Sequence, residues 1–350
     1  MSKVLAALAH PIVAAPMAGG PSTPQLAAAV SEAGGLGFLG AGYQSPERLA
    51  DDIAETRKLT GAPIGVNVFV PDYAPVDLGA VRAYALRLSG EAKWRNTALG
   101  EAVGGDDAYG AKLELLREQP VAVVSFAFGL PSAAVVQALQ ACGSEVWVTL
   151  TRPEDAEAAA ALGVNAIIAQ GIEAGAHRGG VKDTDDYALL PLLRLIAART
   201  DLPQVAAGGI VDGAGLAAVL AAGASAAQIG TAFLACPEAG TTAVHRAALA
   251  GRTPTRLTRL TRAFTGRKAR GIENGFIAKY DEHAPAAYPH LHQLTAPLRT
   301  AARATGDADG VNLWAGQAYP LIRELPAAEL VRLLSDETVT ALDSARRRFG

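Results

Sequence analysis

The run AIIA (166–169) passes directly into QGIEAGAHRGG (170–180), and this join sets how the whole chain is read. A short continuous apolar run, without polar alternation, has the form of a strand buried on both faces of a parallel sheet. The glycine-rich stretch behind it suits a loop at the C-terminal end of such a strand. Working outward, seven further runs share the form: Pro11–Ala15, Leu36–Leu39, Ile64–Phe69, Val121–Phe126, Val146–Leu150, Gln204–Ala207 and Ala227–Ile229. Between them lie segments of helical length and composition, Thr23–Ala33, Pro46–Leu59, Pro153–Leu162, Asp186–Arg199 and Gly213–Ala222. Pro46 and Pro153 stand where a first helical turn favours proline. Strand and helix alternating in this way predict an α/β chain folded as a (β/α)8 TIM barrel rather than an open doubly wound sheet.

Two stretches exceed the barrel rhythm. Residues 71–119 are longer than a strand-to-strand crossover needs, and they include the polar, glycine-rich piece Val103–Tyr109. The chain also runs on well past the eighth strand, through helical stretches and the proline-rich piece Ala284–Pro297. Additions of this kind tend to cover a barrel's mouth. The expected organisation is a barrel from 1–70 and 120–255, a smaller, mainly helical cap from 71–119 and 256–325, and a C-terminal helix over 326–350.

Composition narrows the class. Hydrophobic residues make up 50% of the 350 and charged residues 19%, so the chain is not a disordered one. Two cysteines rule out a disulfide scaffold, and without a motif around them Cys142 and Cys236 read as small core residues in a reducing cytoplasm. A net charge of −3 leaves no cationic excess for a nucleic-acid backbone. The apolar run Val4–Leu8 is cut short by His10-Pro11, which argues against a signal segment. Gly213–Pro237 carries no charge and is long enough to cross a bilayer, but its Ala and Gly content reads better as a buried helix followed by a buried strand. No membrane partner is expected.

In a barrel of this kind the chemistry lies where the strands end. Met17-Ala18-Gly19-Gly20 follows the first strand, Gly40-Ala41-Gly42-Tyr43 the second, and Asn67 sits in the third. Gly208-Gly209 closes the seventh and Gln228-Ile229-Gly230-Thr231 the eighth. Glycine there lets backbone N–H groups approach a ligand, and the loops after strands seven and eight are the usual phosphate cradle of the architecture. His177, on the glycine-flanked loop after strand six, is expected to titrate near neutrality and to act as a donor to an anion or as a base. Gly35-x-Gly37-x-x-Gly40 matches a dinucleotide fingerprint in letters only, because its apolar spacing makes it a strand. His283, His290 and His292 lack the cysteine or carboxylate companions of a metal site, so no metal is expected. Arg267, Lys268 and Arg270 read as a solvated basic face or a helix-end partner.

Several of these stretches carry a resemblance. APMAGG (15–20), GGLGFLGAGY (34–43), GVNVF (65–69), QGIEAGAHRGG (170–180), PQVAAGGI (203–210) and QIGT (228–231), with TGRKARGIENGF (265–276) and WAGQAY (314–319), resemble the nitronate monooxygenase family, bacterial class I. The resemblance implies an FMN-dependent monooxygenase that oxidises alkyl nitronates with O2, without NAD(P)H or metal. It implies FMN contacts from Ala15, Pro16, Met17, Asn67, Gln170, Gly175, Gly208 and Gly209, and a phosphate grip from Gln228, Ile229, Gly230 and Thr231. His177 falls on the family's active-site histidine, with Ala176 where the motif usually has glycine. Tyr109, Tyr288, Trp314 and Gln317 could cover the flavin or simply pack the cap.

A nitronate is an anion, and its site needs a hydrogen-bond donor, an oxidant and access for O2. The family's expected substrate is propionate 3-nitronate, converted to malonate semialdehyde with nitrite and nitrate through an anionic flavosemiquinone. The competing expectations are an FMN-dependent NAD(P)H:quinone or enoyl-carrier-protein reductase on the same barrel, and a barrel that binds a phosphorylated metabolite without redox chemistry. The oligomeric state stays open between monomer and homodimer.

Overall fold

The computed structural model describes residues 2–251 and 257–349. Its strands are β1 (Ile12–Ala14), β2 (Gly37–Gly40), β3 (Ile64–Phe69), β4 (Val123–Ala127), β5 (Glu145–Leu150), β6 (Ala166–Gln170), β7 (Ala176–His177), β8 (Gln204–Ala207), β9 (Ala226–Ile229), β10 (Thr258–Thr261) and β11 (Ala269–Ile272). Eight of them form one parallel sheet in the order β1-β9-β8-β6-β5-β4-β3-β2. Leu36 closes the ring: its N–H donates to Ile12 O at 2.9 Å, and Ala14 N–H donates to Leu36 O at 2.9 Å. The chain is thus the α/β TIM barrel that the alternating runs predict.

The continuous apolar runs have their explanation in two separate cores. Trp147, Ala166, Ile168 and Val205 point into the barrel together with Val13, Phe38 and Val123. Their chain neighbours Val146, Val148, Ile167 and Ala169 point outward into the layer under the helices. A strand with an apolar partner on each face has no position left for polar alternation. The helices begin on side-chain caps: Thr23, Ser45, Ser132 and Asp212 each accept a backbone N–H of the first turn.

The uncharged 213–237 stretch resolves into the helix Gly213–Ala221, strand β9 and a 3-10 turn, Thr231–Ala235. Among the described residues no helix is long and apolar enough to cross a membrane. The C-terminal helix Ala327–Arg348 lies on Gly213–Ala221, burying Leu330, Val331 and Leu334, and its Thr338 hydroxyl is 3.2 Å from Gly213 O.

The first addition is shorter than expected. Helix Leu78–Trp94 does join residues 263–298 in a separate apolar cluster, but helix Tyr109–Glu118 packs beside β3 and the helices Pro46–Leu59 and Ala133–Ala141. It is the crossover helix between β3 and β4, so the extra material ends before residue 109. The later addition also carries β10 and β11, which join β7 in a three-stranded antiparallel sheet. Strands of two to four residues leave no alternation long enough to show in the sequence. The expected barrel-to-cap junction at residues 255 and 256 lies outside the described residues.

Candidate active site

A cavity of about 310 Å³ opens at the C-terminal ends of the barrel strands. Ala15, Pro16 and Met17 reach it from behind β1, Asn67 from β3, Gln170 from β6, and Gly208 and Gly209 from behind β8. Gln228, Gly230 and Thr231 reach it from β9 and the turn after it, while Gly175, His177 and Trp314 close the opposite wall. Residues far apart in sequence thus meet on one surface. Ile229 does not: its side chain is buried in the layer under the helices, and only its carbonyl takes part, accepting Ala15 N–H at 2.7 Å.

The glycine cradle is physical. Gly208 and Gly209 hold φ of +118° and +69°, conformations that an L side chain rarely adopts. A Cβ on Gly208 would stand 3.1 Å from Ala174 N, and one on Gly209 3.1 Å from the Glu173 side chain. Two polar side-chain oxygens at the cavity have no protein partner: Gln228 Oε1 is buried and unbonded, and Asn67 uses its Nδ2 on Ser125 Oγ at 2.9 Å while Oδ1 has no bond among the described residues. Buried or half-buried oxygens of this kind are suited to a ligand's N–H or O–H groups.

His177 owes its place to the small sheet. In β7 it pairs with Ala269 of β11, and the next residue, Arg178, donates its N–H to Lys268 O at 2.9 Å. Gln170 is committed to the same task, because its Nε2 donates to His177 O at 3.0 Å and its Oε1 accepts Gly179 N–H at 2.8 Å. The imidazole lies among Phe128, Tyr288 and Trp314, each with its ring centre 5.7 Å away, and its Nε2 is 3.0 Å from Thr265 Oγ1.

The expectation that His177 titrates near neutrality does not hold. Burial, with the Arg267 and Arg299 charges nearby, pushes its pKa down to about 3. The ring is therefore neutral at working pH. Two other histidines behave alike, the buried His245 pushed down to about 4 and the half-buried His292 to about 2, desolvation being the leading cause for both.

The basic cluster is also not the solvated face or helix-end partner that its letters suggest. Arg267 is buried, with Nε donating to Arg178 O at 2.9 Å, Nη2 bonded to Gly180 O, and its guanidinium 4.4 Å over the Phe128 ring. Arg270 is buried as well and donates to Ile172 O at 3.0 Å. Both cations are satisfied mainly by carbonyls, so their charge is not cancelled by a bonded carboxylate and biases the site toward anions. Asp183 holds the hairpin loop that carries Arg267, accepting Arg262 Nη2 and Lys268 N–H at 2.7 Å each.

The four residues proposed to cover the site divide. Trp314 borders the main cavity, and Tyr288 borders a second cavity of about 190 Å³ on the other side of Tyr43, Phe69 and Phe128. Tyr109 borders neither, because it sits on the crossover helix with its ring 6.4 Å from Phe126. Gln317 borders neither as well, and its backbone N–H donates to Glu173 O at 3.0 Å.

Reasoning from sequence missed the partition between the two cavities. Tyr43 stacks on His292 at 4.1 Å and accepts the Tyr288 hydroxyl at 3.1 Å. Tyr43 stands in the glycine-rich loop after β2 noted from the sequence, and Phe128 follows β4 directly, where inspection of strand ends could have found it. Arg299 carries no local signal, and Thr265 and Arg267 show in the sequence only as letters of the TGRKARGIENGF stretch.

The family model described as nitronate monooxygenase matches residues 2–337. A nitronate monooxygenase of Pseudomonas aeruginosa is 44% identical, with 95% of this chain and 97% of that protein covered. Among solved structures, a nitroalkane oxidase from Streptomyces ansochromogenes superposes with a TM-score of 0.95 at 51% identity, covering 98% of this chain and all of that one. FabK from Thermotoga maritima superposes with a TM-score of 0.78 at 28% identity, over 99% and 98% of the two chains.

Proposed function

This chain belongs to the nitronate monooxygenase family, an oxidoreductase family, and from that premise we propose that it holds FMN in the barrel mouth and oxidises alkyl nitronates with O2. Propionate 3-nitronate is the substrate that this reading favours. Its carbonyl product is malonate semialdehyde, with the nitrogen released as nitrite or nitrate.

The observation that carries the reading is the pairing of a glycine cradle with a neutral histidine across one cavity. Gly208, Gly209 and Gly230 leave room for a phosphate against backbone, and the turn Thr231–Ala235 begins beside them. Gln228 Oε1 and Asn67 Oδ1 are free to accept N–H or O–H groups of a planar heterocycle and its ribityl chain. These residues fit FMN, which when bound supplies the electron acceptor.

The remaining work falls to the chain. Arg267 and Arg299 supply positive potential that favours an anionic nitro group beside His177. Phe128, Tyr288 and Trp314 surround the imidazole and shield the reacting carbon from water. The cytoplasm, where Cys142 and Cys236 stay as free thiols, is the compartment in this reading.

The test is the visible spectrum of the purified protein, followed anaerobically on adding propionate 3-nitronate and then with O2 uptake in air. A yellow protein whose flavin spectrum changes with the nitronate, and which then consumes O2, is the expected result. The likeness to FabK keeps a reductase as the rival. Flavin bleached faster by NADPH than by any nitronate would install that rival, and a colourless protein that takes up no FMN would remove both.

A further inference from the structure

The two ring nitrogens of His177 are not equivalent, and the difference originates outside the cavity. Nε2 is 3.0 Å from the hydroxyl of Thr265, a residue 1% exposed in the turn between β10 and β11. A hydroxyl has one proton to give. Thr265 Oγ1 also lies 3.1 Å from the carbonyl of Arg267, and no other donor reaches that carbonyl among the described residues. Leaving a buried carbonyl unpaired costs more than the net value of an ordinary hydrogen bond, so the hydroxyl proton goes to Arg267 O. Thr265 Oγ1 is then an acceptor toward the histidine, and Nε2 carries the imidazole proton. Nδ1, left with its lone pair, has no partner among the described residues, on a ring that borders the cavity.

We infer that Thr265 is a positioning residue that holds His177 in the Nε2–H tautomer, which makes Nδ1 a proton acceptor for the cavity and not a donor. The backbone clamps described above fix where the ring is, and Thr265 fixes which nitrogen can react.

This deepens the proposed function and rests on it, because it decides which nitro compounds need His177. A neutral nitroalkane must lose its α-proton. Burial and the Arg267 and Arg299 charges hold the free ring neutral, so Nδ1 takes that proton only as the anion forms beside it: the C–H electron pair becomes the C=N bond, and the negative charge on the nitro oxygens offsets those cationic charges. The imidazolium formed returns its proton to solvent after the nitronate is consumed. A nitronate supplied as the anion has already made this step and does not call on the tautomer.

The experiment uses the FMN-loaded protein with Thr265→Val, which keeps shape and removes the hydroxyl, and Thr265→Ser, which keeps the hydroxyl. For Thr265→Val, kcat/KM on nitroethane is expected to fall about tenfold further than kcat/KM on ethyl nitronate, the loss of one buried hydrogen bond's worth of orientation at the proton-accepting nitrogen. Thr265→Ser is expected to restore the nitroethane rate. Nitrogen NMR of histidine-labelled protein, with the His177 signal identified by its loss in His177→Gln, reads the tautomer without turnover. The wild type should show Nε2 protonated and Nδ1 bare, and Thr265→Val a mixture. Equal losses on both substrates, no rescue by serine, or a protonated Nδ1 in the wild type would overturn the inference. If the wild type oxidises neither compound, the proposed function falls, and the NMR result alone still decides the role of Thr265.

Discussion

Ala176 precedes the histidine with a φ of +60°, in the left-handed region, where an L side chain is about 1–2 kcal/mol worse off than in its usual conformations. The family motif that the sequence resembles has glycine at this position, which adopts such a φ freely. Ala176→Gly should therefore stabilise the fold by about 1 kcal/mol, seen as a higher denaturant midpoint; an unchanged or lower midpoint would show that the strand pairing of β7 already absorbs the strain. Tyr43 and Phe128 also stand at positive φ, 68° and 73°, and both border the cavity, so local strain collects around the site. At the same scale, the depressed pKa of His177 makes a pH prediction. The ring is neutral well above pH 3, so kcat/KM for a nitronate should show no inflection near 6.5, where an exposed histidine would titrate. A clear inflection there would mean that the flavin-loaded site re-exposes the ring or its charge.

Elements owe their spacing to small residues as much as to apolar ones. Helix Pro24–Glu32 lies so close over β2 that a Cβ on Gly37 would run into the backbone carbonyl of Ala27. Gly37 thus serves close packing of helix on strand, as the strand reading of the 34–40 run requires. Gly37→Ala should destabilise the protein by about 3 kcal/mol, since backbone cannot yield as a flexible side chain does; a denaturation midpoint within error of wild type would refute this. The small sheet is the element that sequence reading did not reach. β7 has two residues and β10 and β11 four each, and β11 buries the charged Arg270 between its apolar neighbours. Only pairing makes these segments strands. That pairing brings the loop after β6 and the hairpin near residue 265 together, and so creates the histidine site.

At the scale of the molecule, holding three histidines neutral in desolvated surroundings couples folding to pH. His177, His245 and His292 have folded pKa values near 3, 4 and 2, against about 6.5 in an unfolded chain. Below pH 6.5 the unfolded state binds more protons than the folded one, so stability is lost as pH falls from about 6.5 to the folded values, near 4 for His245 and near 3 and 2 for His177 and His292, and is fully present above that window. The slope approaches about 1.4 kcal/mol per pH unit for each histidine. Denaturation midpoints should fall steeply between pH 6.5 and 5, and a His245→Gln variant should lose part of that slope. A flat profile across the window would show that these rings are hydrated in solution.

The barrel, its strand ends and the glycine loops were legible in the chain because period, capping and backbone freedom are local properties. Each βα unit announces itself within a few residues, and the fold rules leave one closed arrangement for eight such units. The chemistry of the site was legible only in part, as positions without their electrostatics. His177 and Thr265 are 88 residues apart, and Arg299 lies farther along still. What each does depends on burial, on which carbonyl takes which proton, and on charges brought near by the added segments. None of these exists until the tertiary structure removes water, and for that reason the sequence placed the histidine while the fold set its protonation state.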